Sequence, residues 1–369
     1  MIYFDSCATT FQKPNTVYAA VAEAMRTMAS PGRGGYRQAA AAADTVFRCR
    51  QLAASMFECE TEQVVFTFNA THGLNIAIKT LVAPGARVVV SGFEHNAVMR
   101  PLHKLQAQIV TAGRRLFDPD DTLAAFRDAV TPDTAAVICT QVSNVFGYRL
   151  PIEQIAALCR QRKVPLVIDA AQAAGVVPVS LKKTGAAFIA MPGHKALYGP
   201  QGTGILLCGR LPQTLLEGGT GSQSALQQMP DWLPDRVEAG TANVPGICGL
   251  LAGMEYVLAR GMAQIAAHEA QLSRRLQRQL AQIRDIRVFQ GAAQTGVTSF
   301  QTKTMDCEEV AQALAQRDIA VRAGLHCAPL AHESAGTLQT GTVRVSFSCF
   351  NTEAEVDRFV TALSQILHG

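Results

Sequence analysis

The chain has 369 residues and a net charge of +4, and 48% of its residues are hydrophobic while 17% are charged. This length and composition predict a soluble globular enzyme with a large domain and a smaller one, and they exclude a disordered chain. The positive charge comes without a basic run or interleaved aromatic and basic residues, so we expect no nucleic-acid binding.

The sequence also shows no pattern typical of a membrane-spanning segment or a secretory signal peptide. No apolar stretch reaches the ~18 residues that a membrane-spanning helix needs, and residues 1–5 lack the basic and apolar regions of a signal peptide. The ten cysteines include no C-x-x-C pair and no spacing typical of a metal site. We therefore expect a cytoplasmic protein without bound metal, whose cysteines are mostly buried and reduced.

In chain order, an alanine-rich stretch at 39–43 predicts a helix, and apolar runs then alternate with helical segments from about residue 64. The predicted helices are 71–81, with Thr71 near its N-cap, and 152–162. The predicted strands are 64–68, 87–91, 135–140, 164–169, 187–191 and 204–208. Because these runs are continuous rather than alternating, we expect a mostly parallel sheet with helices on both faces.

A second unit is predicted after residue 245. Residues 210–245 are rich in Gly, Pro, Gln and Ser and predict a loop region, and a long helical stretch at 257–283 follows. The last helix begins with the capping-box pair Thr352 and Glu355. The second unit contains predicted strands at 297–301 and 342–347 and predicted helices at 307–316 and 352–367.

Chemically useful side chains lie just past the ends of predicted strands. Ligands of open parallel sheets bind at the carboxyl ends of the strands. We therefore expect a shared site at one edge of the sheet, formed by Thr71, His95, Asn144, Asp169 and Lys195.

Lys195 is the most informative of these residues. It ends the sequence PGHK at 192–195 and precedes a glycine-rich turn at 199–204, while Asp169 ends an apolar run upstream. A lysine can hold the aldehyde of pyridoxal 5'-phosphate (PLP) as a Schiff base, and a carboxylate can pair with the protonated pyridine nitrogen. The pattern therefore predicts a PLP enzyme. The structural alternatives are a solvated surface lysine and an aspartate that caps a helix.

Nine short motifs are distributed along the chain: YFDSCATT at 3–10, FNATHGLN at 68–75, EHN at 94–96, SNVFG at 143–147, DAAQ at 169–172, GHK at 193–195, EAGT at 238–241, RAGLHC at 322–327 and RVSFSCFNT at 344–352. Each motif is weak alone, but their order and spacing along the whole chain are specific. The chain resembles the fold-type I PLP enzymes of the class V aminotransferase family. Within that family it is most similar to the SufS-type (group II) cysteine desulfurases and selenocysteine lyases.

The resemblance implies an α/β fold, with a large domain built on a mostly parallel seven-stranded sheet and a smaller C-terminal α+β domain. The expected divisions are an N-terminal segment at 1–15 that joins the small domain, a PLP-binding domain at 16–245 and the small domain at 246–369. It also implies a homodimeric, PLP-dependent cysteine desulfurase, which is a sulfurtransferase. Such an enzyme converts L-cysteine to L-alanine and passes the sulfur to an acceptor protein, whose identity the sequence does not give.

The resemblance assigns several residues to the cofactor. Lys195 would carry PLP and move protons, Asp169 would face the pyridine nitrogen, Gln172 would bind the ring oxygen and His95 would stack on the ring. A lone histidine is more often structural, so the role of His95 depends on its motif. The phosphate would lie at a helix N-terminus, where it would be held by Ala70, Thr71, His72, His194 and, from the partner subunit, Thr241.

Cys327 determines the expected chemistry. Its neighbours His326 and Arg322 favour a thiolate, the nucleophilic form of cysteine. In the family this cysteine takes the sulfur as a persulfide; the structural alternative is a packed, inert cysteine. Arg344 would form a bidentate pair with the substrate carboxylate, unless it is only a sheet-edge arginine. By resemblance, the substrate-binding residues are Ala8, Asn144, Arg322 and Arg344.

Two residues depart from the family pattern. Pro192 stands where serine is usual, so one phosphate contact is missing or replaced, and Leu325 stands where a second histidine is common. Other activities therefore stay open: a lyase acting on L-selenocysteine, another PLP-dependent C–S lyase, an epimerase, an aminotransferase, or a PLP-binding sulfur-relay protein without turnover. This chain has the complete set of Lys195, Asp169, His95 and Arg344, which argues against a relay protein without turnover.

Overall fold

The computed structural model describes residues 1–32 and 34–368, which form three β-sheets and the helices around them. The strands are β1 (Ile2–Tyr3), β2 (Val64–Thr67), β3 (Arg87–Ser91), β4 (Gln108–Ala112), β5 (Ala136–Thr140), β6 (Leu166–Asp169), β7 (Phe188–Pro192), β8 (Gly204–Cys208), β9 (Ile286–Phe289), β10 (Val297–Thr302), β11 (Ile319–Ala320), β12 (Arg322–Gly324) and β13 (Thr342–Ser346). The helices are α1 (Asn15–Thr27), α2 (Arg37–Met56), α3 (Ala70–Leu81), α4 (Asn96–Lys104), α5 (Pro119–Ala129), α6 (Ile152–Arg162), α7 (Leu181–Thr184), α8 (Val244–Arg260), α9 (Met262–Leu280), α10 (Cys307–Ala315), α11 (Pro329–Ala335) and α12 (Glu353–His368).

The largest sheet has seven strands in the order β2-β8-β7-β6-β5-β3-β4. Strands β3 to β7 pair in parallel, and β8 runs antiparallel to both of its neighbours. Because β8 is antiparallel to both β7 and β2, strand β2 runs in the same direction as β7. The carboxyl ends of six strands therefore lie at one edge, as the sequence predicts for a mostly parallel sheet.

Both faces of this sheet are buried. In β5, Val137 and Cys139 belong to one hydrophobic cluster, while Ala136 and Ile138 belong to the other. Helices α3 and α4 cover the second face, and α2, α5, α6 and α8 cover the first. Successive side chains of a strand point to opposite faces, so a strand covered on both sides needs a continuous apolar run.

A smaller antiparallel sheet has the order β12-β13-β10-β9 and packs under α9, α10 and α12. The N-terminal segment joins this unit, because β1 pairs with β11 and Phe4 lies in the same hydrophobic cluster. An isolated bridge between Asp5 and Ser346 continues the attachment along β13. The first residues of the chain are thus fixed beside strands more than 300 positions away.

The structure differs from the predicted elements in several places. The strand predicted at 164–169 is β6, which begins at Leu166, and β4 was not predicted. Two further places concern the ends of helices. The expected helix at 257–283 is two helices, α8 and α9, which meet at Gly261, where φ is +84°. The first of them begins at Val244, inside the stretch expected to be a loop, where Asn243 caps it. In the other place, α3 begins at Ala70 rather than at 71, and Asn69 is its N-cap. The capping box at Thr352 and Glu355 is present as predicted.

The limits of the two domains stay predictions, and the packing suggests how to refine them. Helix α8 packs against α1 and α2, while α9 packs against α12 and β10. We therefore propose that the change from the large to the small domain occurs near Gly261 rather than at 245. Over the described part of the chain, none of the helices has the length and apolar character needed to cross a membrane.

Candidate active site

A cavity opens at the carboxyl edge of the seven-stranded sheet, with about 500 Å³ of empty space when the open solvent at its mouth is included. Parallel strands end at the same edge, so residues far apart in sequence meet there. Pro192, at the end of β7, also forms part of the wall. The cavity is lined by all five residues expected at strand ends, Thr71, His95, Asn144, Asp169 and Lys195, and also by Ala70, Gln172 and His194.

Lys195 and Asp169 both line this cavity, and burial shifts their pKa values in opposite directions. Burial lowers the pKa of Lys195 below its usual range, and the neighbouring Cys7 and Asp169 only partly oppose this effect. Burial likewise raises the pKa of Asp169, although the Ala171 N–H and Lys195 oppose it. Each group therefore lacks a full counter-charge, as expected where a ligand completes the pairing.

His95 is oriented by its own backbone. Its Nδ1 accepts a hydrogen bond from the Ala97 N–H at 3.0 Å, which makes His95 the N-cap of α4. Burial, followed by the positive charges of Lys195, Arg344 and Arg100, lowers the pKa of His95 to about 4. The ring is therefore neutral at pH 7, and because Nδ1 accepts, its proton lies on Nε2.

The N-terminus of α3 offers backbone donors to the cavity. Asn69 Oδ1 accepts from the His72 N–H at 2.9 Å, so that amide is already bound, while the amides of Ala70 and Thr71 have no intrahelical acceptor. The His72 ring stacks on Phe68 and does not line the cavity. A helix N-terminus with free amides attracts an anion.

Two cavity residues are tied to the N-terminal segment. Gln172 donates from Nε2 to the Cys7 carbonyl oxygen at 3.0 Å, and the His194 carbonyl oxygen accepts from the Thr10 N–H at 3.1 Å and from Lys13 Nζ at 3.0 Å. The His194 ring is left with a buried Nδ1 that has no partner among the described residues. Burial, and then the charges of Lys195 and Lys13, lowers the pKa of His194 to about 4.

Arg344 lies behind Asn144 and does not line the cavity wall. It is 2% exposed, donates from Nη1 to the Asn144 carbonyl oxygen at 2.9 Å, and pairs through Nη2 with Asp5 at 2.8 Å. The Asn144 side chain donates from Nδ2 to the His326 carbonyl oxygen at 2.8 Å. One hydrogen-bonded chain therefore links the cavity to the loop that carries Cys327.

Cys327 differs from the other nine cysteines, all of which the structure describes. It is exposed, whereas eight of the others are buried and Cys59 is partly buried. Its carbonyl oxygen accepts from the Asn96 N–H at 2.7 Å, which holds the loop against the residue that follows His95. The exposed thiol therefore sits on a loop that is attached directly to the wall of the cavity.

Four more residues assigned by resemblance lie outside the cavity lining: Arg322, which pairs with Asp5, and also Thr241, His72 and Ala8. Thr241 lines a separate cavity beside Phe66, Thr67 and Phe68, and His72 faces Phe68. Ala8 follows the segment that Gln172 holds, and its N–H donates to the Asp5 carbonyl oxygen at 3.0 Å. Within residues 1–32 and 34–368, no three His, Cys, Asp or Glu side chains are grouped so as to hold a metal ion.

Two residues near the site did not stand out in the sequence. Glu94 is fully buried, and burial raises its pKa to about 8, although the Ser91 hydroxyl and the Thr140 N–H donate to it. Asp5 joins two arginines. Both residues lie inside quoted motifs, and the signal that would have found them is a charged side chain next to a buried strand.

Comparisons with known proteins agree with this architecture. A family model described as Aminotransferase class-V matches residues 2–359. A protein named cysteine desulfurase, from Klebsiella pneumoniae subsp. pneumoniae, is 35% identical over 386 residues, covering 99% of this chain and 93% of that protein. A probable cysteine desulfurase from Methanothermobacter thermautotrophicus is 31% identical over 379 residues, covering 99% of this chain and 94% of that protein.

The fold of this chain is also similar to that of a solved structure. The apo structure of cysteine desulfurase from Thermococcus onnurineus NA1 has a TM-score of 0.90 and 28% sequence identity, covering 99% of this chain and 94% of that one. The family and the fold class expected from the motifs are confirmed. The chain belongs to the class-V aminotransferase family, whose members depend on PLP.

Proposed function

We propose that this protein is a PLP-dependent cysteine desulfurase that converts L-cysteine to L-alanine and holds the sulfur as a persulfide on Cys327. The observation that carries the proposal is the exposed thiol of Cys327 on a loop bonded to the wall of a cavity that contains Lys195 and Asp169. The names of the relatives support the same activity.

The cavity residues fit PLP. Asp169 is 3% exposed and accepts one hydrogen bond, from the Ala171 N–H, so a protonated pyridine nitrogen would supply the counter-charge that a buried carboxylate needs. The free amides of Ala70 and Thr71 and the unpartnered Nδ1 of His194 would receive the phosphate. Pro192 has neither a hydroxyl nor an N–H, so these groups replace the usual serine.

The remaining residues have roles that follow from their protonation. PLP would supply an electron sink for the bond that breaks at the substrate α-carbon. Lys195, whose pKa is lowered, would hold the cofactor and then move the proton between the carbon atoms of the substrate. The neutral His95 ring would lie against the cofactor without adding a competing positive charge.

Cys327 would take the sulfur. Its thiolate forms a bond to the sulfur of the substrate while the bond between that sulfur and the β-carbon breaks. The β-carbon keeps the electron pair of the broken bond and receives a proton from Lys195, while the α-carbon regains the proton that it lost. The proton given up by the Cys327 thiol balances the one that the β-carbon gains. Arg344 would bind the substrate carboxylate, with Asn144 positioned between Arg344 and the Cys327 loop. The exposure of Cys327 would let an acceptor protein reach the persulfide.

We also propose a homodimer in the cytoplasm. Thr241 lies outside the cavity of its own chain, so its expected phosphate contact requires a second subunit. Sedimentation of the purified protein as a monomer would contradict this. All ten cysteines are free, which suits a reducing compartment, and cell fractionation tests the location.

A product assay on the PLP-loaded protein tests the activity. L-cysteine and L-selenocysteine are supplied separately with a reductant, and alanine is measured for the wild type, Cys327→Ala and the control Cys59→Ala. We expect the wild type and Cys59→Ala to release alanine from L-cysteine, and Cys327→Ala to lose at least about a hundredfold, because it lacks the nucleophile. The visible absorbance of the Schiff base between PLP and Lys195, which Lys195→Ala should abolish, confirms loading.

Other outcomes would replace the proposal. Alanine released only from L-selenocysteine, at the same rate in Cys327→Ala, would indicate a selenocysteine lyase. Pyruvate, racemised amino acid or a transamination product would indicate another C–S lyase, an epimerase or an aminotransferase. PLP binding without turnover of either amino acid would indicate the sulfur-relay protein.

A further inference from the structure

Two arginines lie directly opposite each other in the small sheet. Arg322 of β12 and Arg344 of β13 are partners in the antiparallel register, so their side chains leave the same face of the sheet. Like charges that face each other across a strand pair are destabilising. Some negative group must therefore stabilise this pair.

Asp5 is that group. Its Oδ2 accepts from Arg322 Nη2 at 2.7 Å and from Arg322 Nε at 2.9 Å, while its Oδ1 accepts from Arg344 Nη2 at 2.8 Å. Asp5 is 6% exposed, and it is fixed in place because its backbone forms a bridge to Ser346 of β13. The N-terminal segment thus places one carboxylate between two guanidinium groups.

The cluster retains one unit of positive charge and, at Arg344 Nε, one buried donor without a partner among the described residues. Two guanidinium groups and one carboxylate sum to a net charge of +1. Arg344 has used Nη1 on the Asn144 carbonyl oxygen and Nη2 on Asp5, but its buried Nε has no partner among the described residues. Buried charges are stable only when they are paired and hydrogen-bonded. The cluster is therefore complementary to one further carboxylate.

We propose that Asp5 is a specificity-determining residue, which restricts the site to amino acids that carry a single carboxylate. It already binds the Nε and Nη2 edge of Arg322, so a second negative group cannot form a bidentate pair with that edge and meets the charge of Asp5 instead. The inference rests on the proposed function only in taking Arg344 as the substrate-carboxylate site. Asp5 acts through the two arginines and does not itself react.

Ligand binding to the PLP-loaded protein tests this inference without requiring turnover. L-alanine, with one carboxylate, and L-aspartate, with two, are titrated separately and followed by visible absorbance and by calorimetry. We expect the wild type to bind L-alanine more tightly. We expect Asp5→Asn to shift the ratio of the two dissociation constants toward L-aspartate by about tenfold or more, because a freed Arg322 gains a charge-assisted bond.

Two further variants separate this effect from a structural one. Asp5→Glu keeps the charge and should keep the wild-type ratio. Asp318→Asn removes a different ion pair of the N-terminal segment, that with the Met1 amino group at 2.9 Å, and should leave the ratio unchanged. If Asp5→Asn fails to fold, a wild-type ratio in Asp5→Glu supports the role of the charge, and a lost preference there contradicts it.

The results also distinguish this inference from the proposed function. An unchanged ratio in a folded, PLP-loaded Asp5→Asn would overturn the role of Asp5, while alanine production from L-cysteine by the wild type would leave the desulfurase proposal intact. If Asp5→Asn shows the expected shift toward L-aspartate but the wild type produces no alanine from L-cysteine, the role of Asp5 would stand and the desulfurase proposal would be overturned. A wild type that binds neither ligand would overturn both, because Arg344 would then not be a carboxylate site.

Discussion

The backbone around Cys327 has a conformation that side chains rarely adopt. His326 has a φ of +49° and Cys327 has a φ of +55°, both in the left-handed region. Such residues persist when surrounding contacts fix them. Here the contacts are the hydrogen bonds from the Asn144 side chain to the His326 carbonyl oxygen and from the Asn96 N–H to the Cys327 carbonyl oxygen. This geometry projects the thiol outward from a loop whose backbone is held on both sides.

Selective alkylation tests the exposure of this thiol. With iodoacetamide added in small excess to the native protein, we expect Cys327 to be modified first, because eight of the other cysteines are buried and Cys59 is only partly exposed. Mass spectrometry of peptides at increasing times measures the order of modification. The denatured protein, in which all ten cysteines should react, is the control. Modification of a buried cysteine such as Cys139 at the same rate as Cys327 would contradict the structure.

At the level of elements, the turn that carries Lys195 depends on close packing of β7 against β8. Gly193 donates from its N–H to the Thr203 carbonyl oxygen at 2.8 Å and accepts at its own carbonyl from the Gly199 N–H at 2.8 Å. A Cβ at position 193 would lie 2.2 Å from Thr203 Oγ1 and 3.0 Å from Leu250 Cδ1. The absence of a side chain at Gly193 therefore places the next two residues, His194 and Lys195, against the cavity.

Gly193→Ala should reduce the free energy of unfolding by about 1 to 3 kcal/mol, because the added methyl group overpacks the turn. Denaturant unfolding of Gly193→Ala, Thr203→Ala and the double variant measures the effect. We expect the double variant to be more stable than the sum of the two single losses predicts, since Thr203→Ala removes the clashing oxygen. A strictly additive double variant would show that the clash is not with Thr203.

At the scale of the whole molecule, the sequence predicts the sheet better than it predicts the contacts between distant segments. Strand β3 and helix α6 have the predicted limits, because β3 is a continuous apolar run and α6 follows a clear boundary at Pro151. The break at Gly261 was missed because one glycine within a long helical pattern does not by itself indicate an end.

The charge cluster of the site lies beyond sequence reasoning for a different reason. The facing of Arg322 and Arg344 depends on the register of β12 with β13, and the position of Asp5 depends on the pairing of β1 with β11. Together these pairings bring Asp5 to Arg344, which is 339 positions away, and no local pattern encodes them. The convergence of Asp169 and Lys195 was predictable because the ends of parallel strands meet at one edge.

The stability of the whole protein should depend on pH through a buried carboxyl group. Glu269 of α9 is 5% exposed, and burial raises its pKa from the ordinary 4.5 to about 8. It shares a small cavity with Cys7, Lys195 and Tyr198, and burial, followed by the charge of Glu269, raises the pKa of Tyr198. The unfolded chain loses this proton near pH 4.5, whereas the folded protein keeps it up to about pH 8.

The folded protein therefore binds more protons than the unfolded chain between these two pH values, so the free energy of unfolding decreases as the pH rises. In Glu269→Gln the free energy of unfolding should decrease less steeply with pH than in the wild type, by about 1.4 kcal/mol per pH unit, because glutamine does not ionise. Denaturant unfolding at several pH values between 5 and 8, at a fixed protein concentration, measures the slope. Glu94, whose pKa is also raised to about 8 by burial, contributes equally to both proteins and cancels in the comparison.

The matched control is Glu255→Gln, which replaces an exposed carboxylate on α8 and should keep the wild-type slope. A wild-type slope in Glu269→Gln itself would show that Glu269 ionises normally in the folded state.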